Sequence, residues 1–239
     1  MHDYEMENQN VIALQRKAGK LAGLLFLVAM ATGLFAEIYV RFPSTLIVSG
    51  DASKTASNII ANERLYRIGI ANNLITFALD VVLIWALYTL LKRVNRNVAL
   101  LALLFRLVET TIACVAIIYS YVAMQYITDA DHLKAFDSNQ LENLSIMHYT
   151  YALAFNVVAI FLGLGSSLFN YLLFKSAYIP KALAVWGMFA SLLLLLSQFT
   201  IIIFPGTERI IIPACYGPIA IDEIALGMWL LFKPLNIPG

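Results

Sequence analysis

The stretch Asn97–Ile127, NVALLALLFRLVETTIACVAIIYSYVAMQYI, decides how the whole chain is read. It holds no proline or glycine, and its charged residues are Arg106 and Glu109. A hydrocarbon core of about 30 Å is crossed by about 20 helical residues. This stretch is therefore a membrane span with turns to spare, and it is expected to tilt or to project into water. A charge at mid-bilayer costs about 2.5–3.5 kcal/mol on insertion scales. Arg106 and Glu109 lie three residues apart, on one helix face, must point away from lipid, and read first as a self-neutralising pair that locks this span to its partners.

Five more stretches have the same character, at about 20–40, 65–91, 148–174, 181–204 and 210–232. The 239 residues are 61% hydrophobic and 13% charged, with a mean hydropathy of +0.78. Soluble domains carry about 25% charged residues, a deficit too large to ascribe to a big core. The expected fold is an all-α integral membrane protein, a bundle of six transmembrane helices forming one domain over 1–239. The lipid bilayer is its first partner. A net charge of +1 and the lack of a basic tract exclude a nucleic-acid partner.

The first span follows Arg16, Lys17 and Lys20 and contains Ala29-Met30-Ala31, which resembles a signal-peptide cleavage site. The apolar run continues past it, so a retained helix is expected. Lys92 to Asn97 links two spans as an antiparallel hairpin. Between the first two spans, Asp51 is placed to cap a short interfacial helix over Ala52 to Glu63, with Ala56, Ile59 and Ile60 as its apolar edge. Asp137 and Gln140 have capping-box spacing and would start the fourth helix in water, near Asn139. In the last span, Pro213 and Gly217-Pro218 interrupt the apolar run. A helix starting at Pro218 is too short to cross, which leaves a broken helix or a locally thinned bilayer.

Nine Lys and Arg residues flank the spans on the side of the termini and six on the other, with Arg106 making up the sixteen. That bias puts both termini in the cytoplasm and the acidic loop Asp129 to Met147 outside. Tyr39, Tyr66, Tyr119, Tyr121, Tyr126, Tyr149 and Tyr151 fall at the outer level as an aromatic belt.

Asp80, Arg106, Glu109, Asp222 and Glu223 all lie inside predicted spans and are the candidate ligand- or ion-binding residues. Asn73 joins them through a stripe with Thr76 and Asp80. The pair favoured across the hairpin is Asp80 with Arg106. Four carboxylates against one arginine leave three uncompensated negatives if all ionise. A low-dielectric interior forbids that, so a proton or a cation must neutralise some of them. Glu37 with Arg41, and Glu63 with Arg67, are spaced i,i+4 near the outer interface and read as ion pairs closing an outer mouth.

Other chemistries have little support. His2, His132 and His148 are scattered, and no Cys/His spacing for a metal exists. Cys114 and Cys215 read as buried thiols. No motif calls for a cofactor. Gly163-Leu164-Gly165-Ser166-Ser167 suggests a serine nucleophile, but His148 lies about 27 Å along the same helix and cannot serve Ser166. Small residues there let a neighbouring helix approach closely.

The residues resemble a family. Phe35-Ala36-Glu37-Ile38-Tyr39-Val40-Arg41, then Gly50-Asp51, Thr55, Asn58-Ile59, Glu63 and Arg67, are similar to the bacterial membrane protein family DUF4386, a domain of unknown function. The resemblance continues through Leu90-Leu91, Val94-Asn95, Ala102 to Glu109, Phe161-Leu162-Gly163, Lys175-Ser176, Ile179-Pro180, Glu223 and Trp229-Leu230-Leu231. It departs at Lys233-Pro234, where the family tends to place Gly after the basic residue. The resemblance implies a six-helix bacterial inner-membrane protein and no assigned activity. Two functions then compete: a small ion-coupled transporter or permease, and a non-catalytic membrane protein binding a lipid or protein partner as a regulator or assembly factor. An intramembrane enzyme on a lipid-like substrate ranks behind both, since no nucleophile motif is present. The identity of a small-molecule, ion or lipid ligand, and the oligomeric state, are not encoded in a readable form.

Overall fold

The computed structural model describes residues 2–35, 46, 52–128 and 138–237, and all the regular structure among them is helical. The helices are α1 (His2–Phe35), α2 (Ala52–Ala61), α3 (Glu63–Leu91), α4 (Arg96–Thr128), α5 (Ser138–Ser176), α6 (Lys181–Ile203) and α7 (Glu208–Phe232). Six of them are long and apolar enough to cross a membrane, and the short α2 precedes the second span. Leu104, Ile118, Leu196 and Ile203 are half or more exposed, as side chains facing acyl chains must be.

The chain forms two compact units. The first gathers Met1–Met30, Leu79–Thr110 and Asn156–Gly239; the second gathers Ala31–Ala78 and Thr111–Phe155. The core of the first is a continuous apolar cluster built from Ala22 and Phe26 of α1, Leu83 and Leu87 of α3, Ala102 of α4, Phe169 and Leu173 of α5, and Leu226 and Leu230 of α7. Helices meet there through small residues. A Cβ placed on Gly23 would stand 2.6 Å from the Leu231 nitrogen and 2.8 Å from the Gly227 carbonyl oxygen, so α1 and α7 touch backbone to backbone. A Cβ on Gly163 would come 2.8 Å from the Ser191 carbonyl oxygen, which accounts for the small-residue run in α5 as a packing seam against α6. In the second unit, Asn72 donates to the Thr32 carbonyl at 3.1 Å and Thr76 donates to the Thr32 hydroxyl at 2.9 Å.

Helix ends follow from local chemistry. The Asn95 side chain accepts from the Asn97 and Val98 amides, each at 3.1 Å, and so caps α4. At the end of α5, Ala177 has φ 55, a left-handed conformation that disfavours a Cβ. Ser176 accepts the Tyr178 amide at 3.2 Å and helps hold this turn before Pro180. Ala177→Gly is expected to stabilise the protein by about 1 kcal/mol. In a thermal melt in detergent that reads as a rise of about 2–4 °C.

Several expectations need correction. α1 begins near His2, well before residue 20, because Gln15, Ala18, Ala22 and Leu25 repeat at helical spacing along a buried face. The Gln15 amide donates to the Leu90 carbonyl at 2.8 Å, anchoring that extension. The last span is not broken: α7 runs unbroken from Glu208 through Pro213 and Pro218 to Phe232. A proline removes one helix bond, but a full break would leave many more backbone groups unpaired in hydrocarbon, so the helix carries on. Trp186 of α6 donates to the Pro218 carbonyl at 3.2 Å and braces α7 at that point. In α2, Thr55 and Ile59 are buried while Ile60 is 44% exposed, a rotation from the expected edge. Tyr66 is buried and does not belong to an exposed belt, whereas Tyr119 and Tyr121 are exposed. α5 does begin early, at Ser138, as the capping spacing implied. Asp51, Asp137, Glu37 and Arg41 lie outside the described residues.

Candidate functional site

Arg106 is a long cation in the middle of an apolar helix, and it is 5% exposed. Its charge has to be met locally. Glu109, one turn on and 7% exposed, meets it: Nη1 and Oε2 lie 2.8 Å apart. The contact is an ion pair by distance but not a well-directed hydrogen bond, so both atoms are still short of a hydrogen-bond partner. This is the pair that the i,i+3 spacing implied, whereas the bridge expected across the hairpin, Asp80 to Arg106, is not made at ion-pair distance among the described residues. Asp80, partly buried on α3, and Glu223, partly buried on α7, act on Arg106 through their charge. Among the described residues neither comes within ion-pair distance of it. The i,i+3 geometry of one rigid helix brings Glu109 to Arg106 with less rotamer entropy to lose than a partner on another helix would require.

Arg106 reaches its position because α5 offers it a groove. A Cβ on Gly165 would stand 2.5 Å from the Arg106 Cγ and 2.9 Å from its Cδ. The arginine stem lies across that glycine, and Arg106 lines a small cavity of about 20 Å³. The cavity is lined by Arg106, Ser166, Asn170, Asp222 and Glu223, with Phe26, Leu87, Phe169, Leu173, Ile219 and Leu226 supplying the apolar wall. A volume of that size holds one water-sized occupant and nothing much larger. Every lining residue belongs to the first unit.

Asp222 is 2% exposed and Asn170 3%. The Asn170 amide nitrogen donates to the Asp222 Oδ2 at 3.3 Å. The Asp222 Oδ1 and the Asn170 Oδ1 have no hydrogen-bond partner. Behind Asn170 stands Gly187 of α6, where a Cβ would meet the amide carbon at 2.5 Å, so the amide is wedged in place.

Of the sequence-derived candidates, the cavity collects Arg106, Asp222 and Glu223 directly, with Glu109 attached through Arg106. Asp80 lies in the same unit, within electrostatic reach but outside the lining. Asn73 falls in the second unit, where its neighbour Asn72 donates to the Thr32 carbonyl. Glu63 and Arg67 do pair, at 2.6 Å, with both side chains more than 40% exposed. An exposed i,i+4 pair is worth about 0.3–0.5 kcal/mol and builds no site by itself. Asn170 and Ser166 were missed as site residues. Their four-residue spacing on one helix face, inside a span otherwise apolar on that side, was the available signal. Among the described residues no three His, Cys, Asp or Glu side chains converge closely enough to form a metal cage.

Fold and site together define a multi-pass helical membrane protein with an inward-facing charged cavity. The chain belongs to the family described as Domain of unknown function (DUF4386), which matches residues 21–233, nearly the whole chain. No curated protein and no solved structure matches it.

Proposed function

We propose that this protein is a small proton-coupled permease whose coupling site is the cavity holding Arg106, Asp222 and Glu223, with Glu109 and Asp80 as charge partners. One observation carries the reading: buried carboxylate and amide atoms without hydrogen-bond partners open onto a void sized for a single water. An unpartnered buried polar atom costs about 1–3 kcal/mol. Such atoms call for an explanation, and a water or proton exchanging through the adjoining cavity supplies one here. The cavity volume argues for a proton or a water as its occupant, and against a bulky solute resting there. Four carboxylates to one arginine supply the charge imbalance that proton binding relieves. Lys and Arg placement supports cytoplasmic termini, and the family resemblance supports a bacterial inner membrane.

A second reading has its own support. Arg106 and Glu109 largely neutralise each other and are packed against Gly165, as a purely structural pair would be. The protein would then be a non-catalytic membrane component whose polar cluster fixes helix register.

Reconstitution in vesicles with an internal pH dye separates the two. An imposed pH gradient is expected to drive proton flux through the wild-type protein, with Asp222→Asn and Glu223→Gln falling to the level of empty vesicles. Glu63→Gln, at the exposed pair, is expected to leave flux intact. Wild-type flux no faster than empty vesicles under a range of cation and anion gradients overturns the permease reading.

A further inference from the structure

We infer that Asp222 and Asn170 form a proton-binding pair, in which a neutral carboxylic acid and a primary amide close a ring of two hydrogen bonds. The inference rests on the proton-coupled reading above and deepens it by naming the seat of the proton. It starts from which atoms are satisfied. The Asn170 nitrogen already donates to one Asp222 oxygen, at 3.3 Å. The two atoms left over are the other Asp222 oxygen and the Asn170 carbonyl oxygen, both buried. Both bare acceptors belong to the same hydrogen-bonded pair of side chains. A proton on the Asp222 Oδ1 makes that oxygen a donor, and the Asn170 Oδ1 is the acceptor awaiting it. A single added hydrogen satisfies both orphans.

The surroundings support the neutral form. Asp222, 2% exposed, has one long hydrogen bond from a neutral donor, which is poor compensation for a full charge in a membrane interior. The cation nearest to hand, Arg106 of α4, is engaged by Glu109 at 2.8 Å. Glu223, on the same helix as Asp222 and lining the same cavity, adds negative charge. Asp80 of α3, outside the lining but within electrostatic reach, adds further negative charge, while the other lining residues are uncharged: Phe26 from α1, Leu87 from α3, and Ser166 and Asn170 from α5. Gly187 of α6 presses on the amide from behind, so Asn170 cannot swing away to another partner. The cavity beside the pair, about 20 Å³, admits the water that delivers or removes the proton. On binding, an excess proton arriving as hydronium passes from that water to Oδ1, forming the O–H bond and leaving a neutral water. On release the proton returns to that water, leaving the carboxylate and its one amide bond.

Infrared difference spectroscopy on the full-length protein in vesicles, across a pH step, reads this directly. The wild type is expected to show a protonated-carboxyl band that shifts in heavy water and shifts again with carboxyl-¹³C aspartate. Asp222→Asn is expected to remove it. Asn170→Leu keeps the acid but deletes its acceptor, so the band should persist at higher frequency; this variant decides the matter if Asp222→Asn does not fold. A band insensitive to the aspartate label, or unmoved in Asn170→Leu, overturns the pair. Proton flux without an Asp222 band would retain the permease and sink this assignment. An Asp222 band without flux would retain the pair and sink the permease.

Discussion

Arg106→Ala is expected to destabilise the protein by about 3–5 kcal/mol, because it leaves Glu109 buried without its counter-charge. The two side chains are 6% and 9% exposed and 2.8 Å apart, so bulk water cannot take over the role of the guanidinium. Removing the arginine stem also empties the groove over Gly165. The loss should appear as a lowered unfolding midpoint in detergent and a reduced yield of monodisperse protein. Replacing both partners, Arg106→Met with Glu109→Met, is expected to recover most of that stability, since paired removal of buried charge is close to neutral when the volume is kept. A cycle in which the double variant is as damaged as the single one would show that the two residues do not act as a pair.

Gly165→Leu is the second large effect. A Cβ there already meets the Arg106 stem at 2.5 Å and the Ala102 carbonyl oxygen at 3.1 Å, and the rest of a leucine has no free volume to enter. Overpacking costs about 1–3 kcal/mol. Here the strain has two outlets: α5 moves off α4, or the arginine swings out of its groove and loses Glu109. Either outcome displaces Arg106 from the cavity wall, so flux should fall with stability. Gly165→Leu in an Arg106→Met background should cost less than in the wild type, because methionine is flexible enough to share the groove. Equal costs in the two backgrounds would place the clash elsewhere.

The membrane architecture was legible because lipid imposes it: six apolar stretches of spanning length needed no tertiary information. The inward charges were legible for the same reason, since Arg106, Glu109 and Asp222 would be too costly facing lipid, and all three are buried. What the residues did not disclose was rotation. The Arg106–Glu109 pair was legible from its i,i+3 spacing, but whether Arg106 also reaches Asp80 depends on a few tens of degrees about the α4 axis, which hydropathy does not encode. Gly187 and Asn170 sit on different helices, and only packing reveals that one is the seat of the other. Pro213 and Pro218 misled because a proline's local cost was weighed without the larger cost of an open backbone in hydrocarbon. The amphiphilic start of α1 was passed over because it lacks the hydropathy of a span, though its buried face repeats from Gln15 onward.

The two readings of the polar cluster part company in one preparation, the Arg106→Met, Glu109→Met double variant reconstituted in vesicles. It removes the buried ion pair while keeping the side-chain volume, so the cost of an unpaired Glu109 no longer confuses the result. The site account predicts a folded, membrane-inserted protein whose pH-gradient-driven proton flux has fallen to that of empty vesicles. Wild-type flux from that same stable variant would contradict it, and would leave Arg106 and Glu109 as no more than a brace between helices.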